Sequence, residues 1–165
     1  ADLRRDILAG AYWAKPPAPG AEFALAYCGV VAPEALAAFE MIAEDLPGAG
    51  LLAITSPDRL HAGWRDAARA RRGGERFAIS HIERLLAELA PKATLVTLHD
   101  AHPAALGWLG SVRGQFCEPL GVDRFGQAGD ITSLYGEYGI DTETTVDAVA
   151  DVVVRHVRSL PLAAE

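Results

Sequence analysis

Short, continuous apolar runs separate segments in which apolar residues recur every three or four positions, and that alternation limits what this chain can become. The runs are Phe23–Cys28, Gly50–Thr55, Thr94–Leu98 and Phe116–Val122. A strand with one wet face alternates polar and apolar residues, so a strand that is apolar throughout belongs in a sheet covered on both sides. Between the first two runs, Pro33 to Asp45 places Leu36, Phe39, Ile42 and Leu46 at helical spacing, with Pro33 in a first turn that does not need its N–H. Ser56-Pro57-Asp58 reads as an N-cap with proline just inside the helix, which then runs through Trp64. Ser80-His81-Ile82-Glu83 has the form of a capping box ahead of Leu85, Leu86 and Leu89. Pro103–Val112 reads as a helix weakened by Gly107 and Gly110, glycines that signal close packing. Asp130 starts a short helix that Gly139 ends, and Asp141 or Thr142 caps a last one carrying Val146, Val149, Val153 and Val157 on one face. The expected fold class is α/β, a three-layer α/β/α sandwich on a mostly parallel sheet of about five strands.

At 165 residues the chain has the length of one domain. An arm ends in the strand-like Gly10-Ala11-Tyr12-Trp13, whose expected place is a sheet edge. The Pro-rich Lys15–Gly20 then connects it to the body, so residues 1–20 are arm and connection and 21–165 the body. The only methionine is Met41, and the chain begins inside what reads as a polar helix, so a piece of a longer polypeptide is expected. With 15 Lys and Arg against 22 Asp and Glu, the net charge of -7 argues against a general binder of nucleic-acid backbone. The apolar runs fall short of the ~20 residues that span a bilayer, and Ala-Asp-Leu-Arg-Arg-Asp lacks the apolar stretch of a secretory signal. The expected setting is the cytoplasm, with no membrane and no nucleic-acid partner.

In open parallel sheets ligands lie beyond the carboxyl ends of the strands. Cys28, in Tyr27-Cys28-Gly29, ends one run and could present a thiol at a tight turn, although no glycine stands two residues before it; both Cys28 and Cys117 also read simply as small buried hydrophobes. His99-Asp100-Ala101-His102 follows another run, where a histidine paired with a carboxylate suits acid/base work, metal binding or plain helix capping. Gly121-Val122-Asp123-Arg124-Phe125-Gly126-Gln127 follows the last run and suits an interdomain contact, a ligand rim or a surface turn. Six arginines between Arg59 and Arg76 are interleaved with Asp58, Asp66 and Glu75, as on a solvated helix face. No dinucleotide, P-loop, zincin or paired-cysteine motif is present.

Several segments together carry a family likeness. Gly50-Leu51-Leu52-Ala53-Ile54-Thr55-Ser56 with Leu60, then Leu120-Gly121-Val122-Asp123-Arg124-Phe125-Gly126, then Leu134 to Asp141 and a final helix, resemble the C-terminal domain of transketolase-family enzymes. Within that family they are most similar to the homodimeric decarboxylating component of pyruvate dehydrogenase. Ile7-Leu8-Ala9-Gly10-Ala11-Tyr12 resembles the entry into that domain, and the Trp64–Ile82 insertion is similar in placement. The resemblance implies a parent enzyme, a dimer of three-domain subunits that hold thiamine diphosphate and a divalent metal (Mg) between their first two domains. The third domain supports dimerisation and borders the active-site entrance, so this chain alone would hold no cofactor and be inactive. No catalytic, cofactor-binding or metal residue is carried over. The contact candidates are Asp123, Arg124, Phe125 and Gly126, with Tyr12 and Trp13 on the arm; Gln127-Ala128-Gly129 departs from the small and hydroxyl residues usual there. Implied partners are the parent's other domains, its homodimer mate and the acyltransferase component of a 2-oxoacid dehydrogenase complex. Two readings compete with this one: a free-standing small-ligand or interaction module of the same fold, and a cysteine hydrolase using Cys28.

Overall fold

A computed structural model of the chain describes residues 3–126 and 128–159, apart from the side chains of residues 156–159. Gln127 and the Val157 side chain lie outside the described residues.

The apolar runs become the inner strands of a sheet. Strand β1 (Ala11–Lys15) follows helix α1 (Leu3–Ala9), β2 is Ala21–Cys28, β3 Gly50–Ile54, β4 Leu89–His99 and β5 Phe116–Leu120. Their order is β1-β3-β2-β4-β5. The arm strand β1 lies at the edge, antiparallel to β3, and the other pairings are parallel. Helix α2 (Ala32–Asp45) links β2 to β3, and α3 (Pro57–Arg72) with α4 (His81–Leu86) links β3 to β4. The chain thus moves from β2 to one side and returns across it to the other, which puts the switch point between β2 and β4.

Residue parity assigns the two faces. Ala24, Ala26, Cys28, Leu52, Ile54 and Leu95 join Leu60 of α3 and Ile82, Leu85 and Leu86 of α4 in one core. Phe23, Leu25, Leu51, Val96 and Leu98 point the other way, against Ala35, Ala38, Phe39 and Ile42 of α2 and Val149 and Val152 of α8 (Thr142–Ser159). Two buried layers sharing one sheet make the expected three-layer sandwich. The α2 and α8 starts are pinned together, because the Glu34 carboxylate accepts from the Thr142 amide at 2.9 Å and from its hydroxyl.

Local boundaries differ from the expected ones for physical reasons. On α2 the buried stripe is Ala35, Ala38, Phe39 and Ile42, and Leu36 lies 42% exposed. Helix α3 continues past Trp64 to Arg72, and the Ser56 side chain makes no cap bond at its start. The capping box at Ser80 forms as read, but Leu89 opens β4 instead of extending α4. Pro103–Val112 breaks into α5 (Ala104–Gly107) and α6 (Gly110–Arg113). A Cβ at Gly110 would stand 2.8 Å from Cys117 Cβ, so the close approach to β5 is real although the single helix is not. Asp130 accepts from the Ser133 amide to start α7 (Ile131–Tyr138), which Gly139 ends at a φ of 63°.

Candidate functional site

Three strand ends converge beside the switch point. Cys28 ends β2, His99 ends β4, and Ile54 runs through Ser56 into α3. His99 Nδ1 lies 3.1 Å from the Cys28 carbonyl and 3.0 Å from Asp100 Oδ1. Both neighbours are acceptors, so Nδ1 carries the proton and Nε2 is left as the acceptor. His99 joins Pro57, Asp58, His61, Ala104, Ala105 and Trp108 around a hollow of about 510 Å³. Its wall is stiffened by ring contacts: Trp64 stacks on Trp108 at 5.4 Å, and His61 meets the Trp108 edge at 4.9 Å.

The Cys28 thiol, at the neighbouring strand end, is buried. Cys28 is 7% exposed, and burial, with the Asp100 charge adding to it, pushes the thiol above its ordinary value. A thiolate nucleophile is favoured by the opposite shift, so this environment does not favour the cysteine-hydrolase reading. Burial pushes Cys117 up as well, to about 11. The arrangement can hydrogen-bond and stack on a ligand.

The loop after β5 adjoins this edge. The Val122 amide donates to the Ala101 carbonyl at 3.0 Å, and a Cβ at Gly121 would collide with that same carbonyl. Arg124 lies back on α7: it donates to the Glu137 carbonyl at 2.6 Å, stands 3.4 Å from the Glu137 carboxylate and covers the Tyr138 ring at 5.9 Å. Asp123 Oδ1 is 3.9 Å from the same guanidinium, and Gly126 takes a positive φ of 51°. With its backbone held this way the loop carries Phe125 fully into solvent. The four loop residues therefore divide into a clamp, Arg124, and a projecting ring, Phe125.

Tyr12 and Trp13 are not part of this edge. They lie on β1 at the far side of the sheet from β5, half-buried. Trp13 packs over Gly50, where a Cβ would come within 2.7 Å of its ring, and its Nε1 is buried without a hydrogen-bond partner among the described residues. Asp58 was read from the sequence only as part of a helix start and a solvated face, and His61 and Trp108 were not singled out. The signal existed in His61 and Trp64, one helical turn apart directly after a strand end.

No protein-family model matches the chain, and no curated protein does. Solved structures do. A transketolase from Leishmania mexicana superposes with a TM-score of 0.62 at 17% identity, over 92% of this chain and 19% of that one. A transketolase from Campylobacter jejuni gives 0.61 at 16% identity, over 88% of this chain and 19% of that one. A split-gene transketolase, an inactive beta4 tetramer, gives 0.54 at 18% identity, over 87% and 41%. This chain has the fold of a transketolase C-terminal domain. At these identities the likeness is one of fold, and the chain spans about a fifth of the Leishmania and Campylobacter enzymes. Among the described residues no three His, Cys, Asp or Glu side chains gather as metal ligands. No helix among them is long and apolar enough to cross a membrane.

Proposed function

We propose that this chain works as the C-terminal domain of a thiamine-diphosphate-dependent enzyme of transketolase type, supporting dimerisation and the rim of an active site formed elsewhere in the parent. Within that type, the homodimeric decarboxylating component of pyruvate dehydrogenase is the member its strand-end and loop sequences most resemble. The partners are then the parent's other domains and its homodimer mate, and for the pyruvate dehydrogenase member an acyltransferase component. The observation that carries the reading is the loop after β5. Arg124 is committed to α7 while Phe125 projects with its whole ring in water. A large apolar side chain held out by an ordered clamp is what an interface anchor requires, and aromatic residues lead among such anchors. The shared fold and the 19% coverage of full transketolases agree with a part of a larger enzyme.

The deciding experiment is the mass of the native polypeptide in the source cell, read with an antibody raised against this chain. The expected band is several-fold heavier than 17.5 kDa. A single band near 17.5 kDa overturns the reading in favour of a self-sufficient module, with the hollow at His99, Asp58 and Trp108 as its ligand site.

A further inference from the structure

One corner of the molecule opposes the charge of the whole. Helix α3 ends in Arg69, Arg71 and Arg72, and Gly73 and Gly74 then turn the chain into Glu75-Arg76-Phe77-Ala78-Ile79 ahead of α4. Part of this basic set holds the loop. Arg71 donates to the Ala78 carbonyl at 2.7 Å and pairs with Glu83 at 3.0 Å, Arg84 donates to the Ile79 carbonyl at 3.2 Å, and Arg69 pairs with Asp66. Arg72, Arg76 and Arg113 have no hydrogen-bond or ion-pair partner among the described residues. Arg76 and Arg113 line a shallow hollow of about 280 Å³ together with Phe77, Ile79 and Val112, and the mutually paired Arg71 and Glu83 complete its lining. Phe77 is 96% exposed and Ile79 50%.

We propose that this corner docks an acidic segment of another polypeptide. Arg76 and Arg113 fork one carboxylate of that segment, and an adjacent apolar side chain lies on Phe77 and Ile79. Charge decides the occupant, because a chain of net charge -7 keeps two guanidinia, Arg76 and Arg113, unpaired beside its exposed Phe77, against the single unpaired carboxylate of Glu75. Guanidinium pairs bind carboxylates in planar, two-bonded fashion, and arginine and aromatic residues dominate the energetic centres of interfaces. A nucleic-acid strand fits less well: its evenly spaced phosphates need a track of cations, and here Asp66, Glu75 and Glu83 interrupt one. A small anion would leave the apolar wall wet. The proposal does not rest on the parent-enzyme reading, since Phe125 and strand β1 take no part in it.

The test is a random-peptide display selection against the 165-residue chain, run in parallel on Phe77→Ser and on the double variant Arg76→Glu/Arg113→Glu. All three proteins are first shown to melt cooperatively, and enriched peptides are titrated by fluorescence anisotropy. The expected peptides carry two or more Asp or Glu around a leucine or aromatic residue. Their affinity falls at least about tenfold in each variant and drops as salt is raised through the range where the Debye length shortens from ~10 Å. If the charge-reversed variant does not fold, Arg76→Gln/Arg113→Gln gives the same reading. Absence of enrichment overturns the proposal, as do peptides lacking acidic residues or peptides binding the variants equally. A single-stranded oligonucleotide that binds as tightly as the best peptide overturns it too.

Discussion

Gly29 and Asp100 sit where β2 and β4 end side by side, and each depends on the other. Gly29 has a φ of 85°, in the region that side chains with a Cβ avoid, and a Cβ built on it would run into Asp100 Oδ1. That close approach sets Asp100 beside His99 Nδ1, so one glycine positions the carboxylate that fixes the imidazole tautomer. Replacing Gly29 with Ala therefore combines backbone strain with a clash, and the expected loss of stability is about 2–4 kcal/mol. Adding Asp100→Gly removes the clash but not the strain, so the pair should be non-additive by about 1 kcal/mol or more. Urea denaturation of the two single variants and the double variant checks this; strict additivity would show that the contact is not made.

At the scale of elements, α4 is a six-residue helix that persists because its first turn is capped in both directions. The Ser80 hydroxyl accepts from the Glu83 amide, and the Glu83 carboxylate accepts from the Ser80 amide at 2.7 Å while pairing with Arg71. Burial alone would raise the Glu83 carboxyl, but the Ser80 hydroxyl and amide, which both donate to it, and Arg71 together hold it below the ordinary glutamate value. A carboxylate depressed in the folded state stabilises above its unfolded value, and that contribution disappears as pH falls through the folded value. The expected outcome is a urea midpoint that falls in acid with a component absent from Glu83→Gln, while Ser80→Ala costs about 1 kcal/mol near neutral pH. Urea midpoints followed from about pH 6 down to about pH 3 test it. This box was legible in the sequence because capping is local chemistry. The Asp130 start and Gly139 stop of α7 were legible for the same reason. Tertiary choices left no local signal. That α2 buries Ala35 and Ala38 and not Leu36, and that Gly110 lies so close to Cys117, depend on partners distant in the chain. Strand order was equally silent, since runs apolar on both faces do not say which neighbour they pair with.

At the scale of the whole molecule, the sheet order separates the two sets of contact candidates by about 19 Å, four strand spacings from β1 to β5. They do not form one patch. Trp13 is already committed to covering Gly50, and Tyr12 stands near enough to Tyr27 that the two, after burial, raise the Tyr27 hydroxyl together. Phe125 is committed to nothing, being fully exposed on a loop whose other members are held. The hollow at the strand ends was half legible, through His99 and Asp100, because the rule that ligands lie beyond strand ends points there; its aromatic wall comes from two separate helices, and only folding joins them. If Phe125 is an anchor, its removal has opposite consequences at two levels. In the chain alone, Phe125→Ser should leave the melting temperature within about 2 °C, because an exposed side chain contributes little to folding. In the parent polypeptide proposed above, the same change should weaken subunit association at least about tenfold, as loss of a central aromatic contact does. Arg124→Ala reverses the pattern within the chain, loosening the loop from α7 and raising amide exchange across residues 122–126. Sedimentation equilibrium on the parent, with hydrogen exchange on the chain, reads both. An unchanged association constant for Phe125→Ser would mean that the ring faces water in the assembled enzyme as well, and the anchoring role would pass to Tyr12 at the other edge.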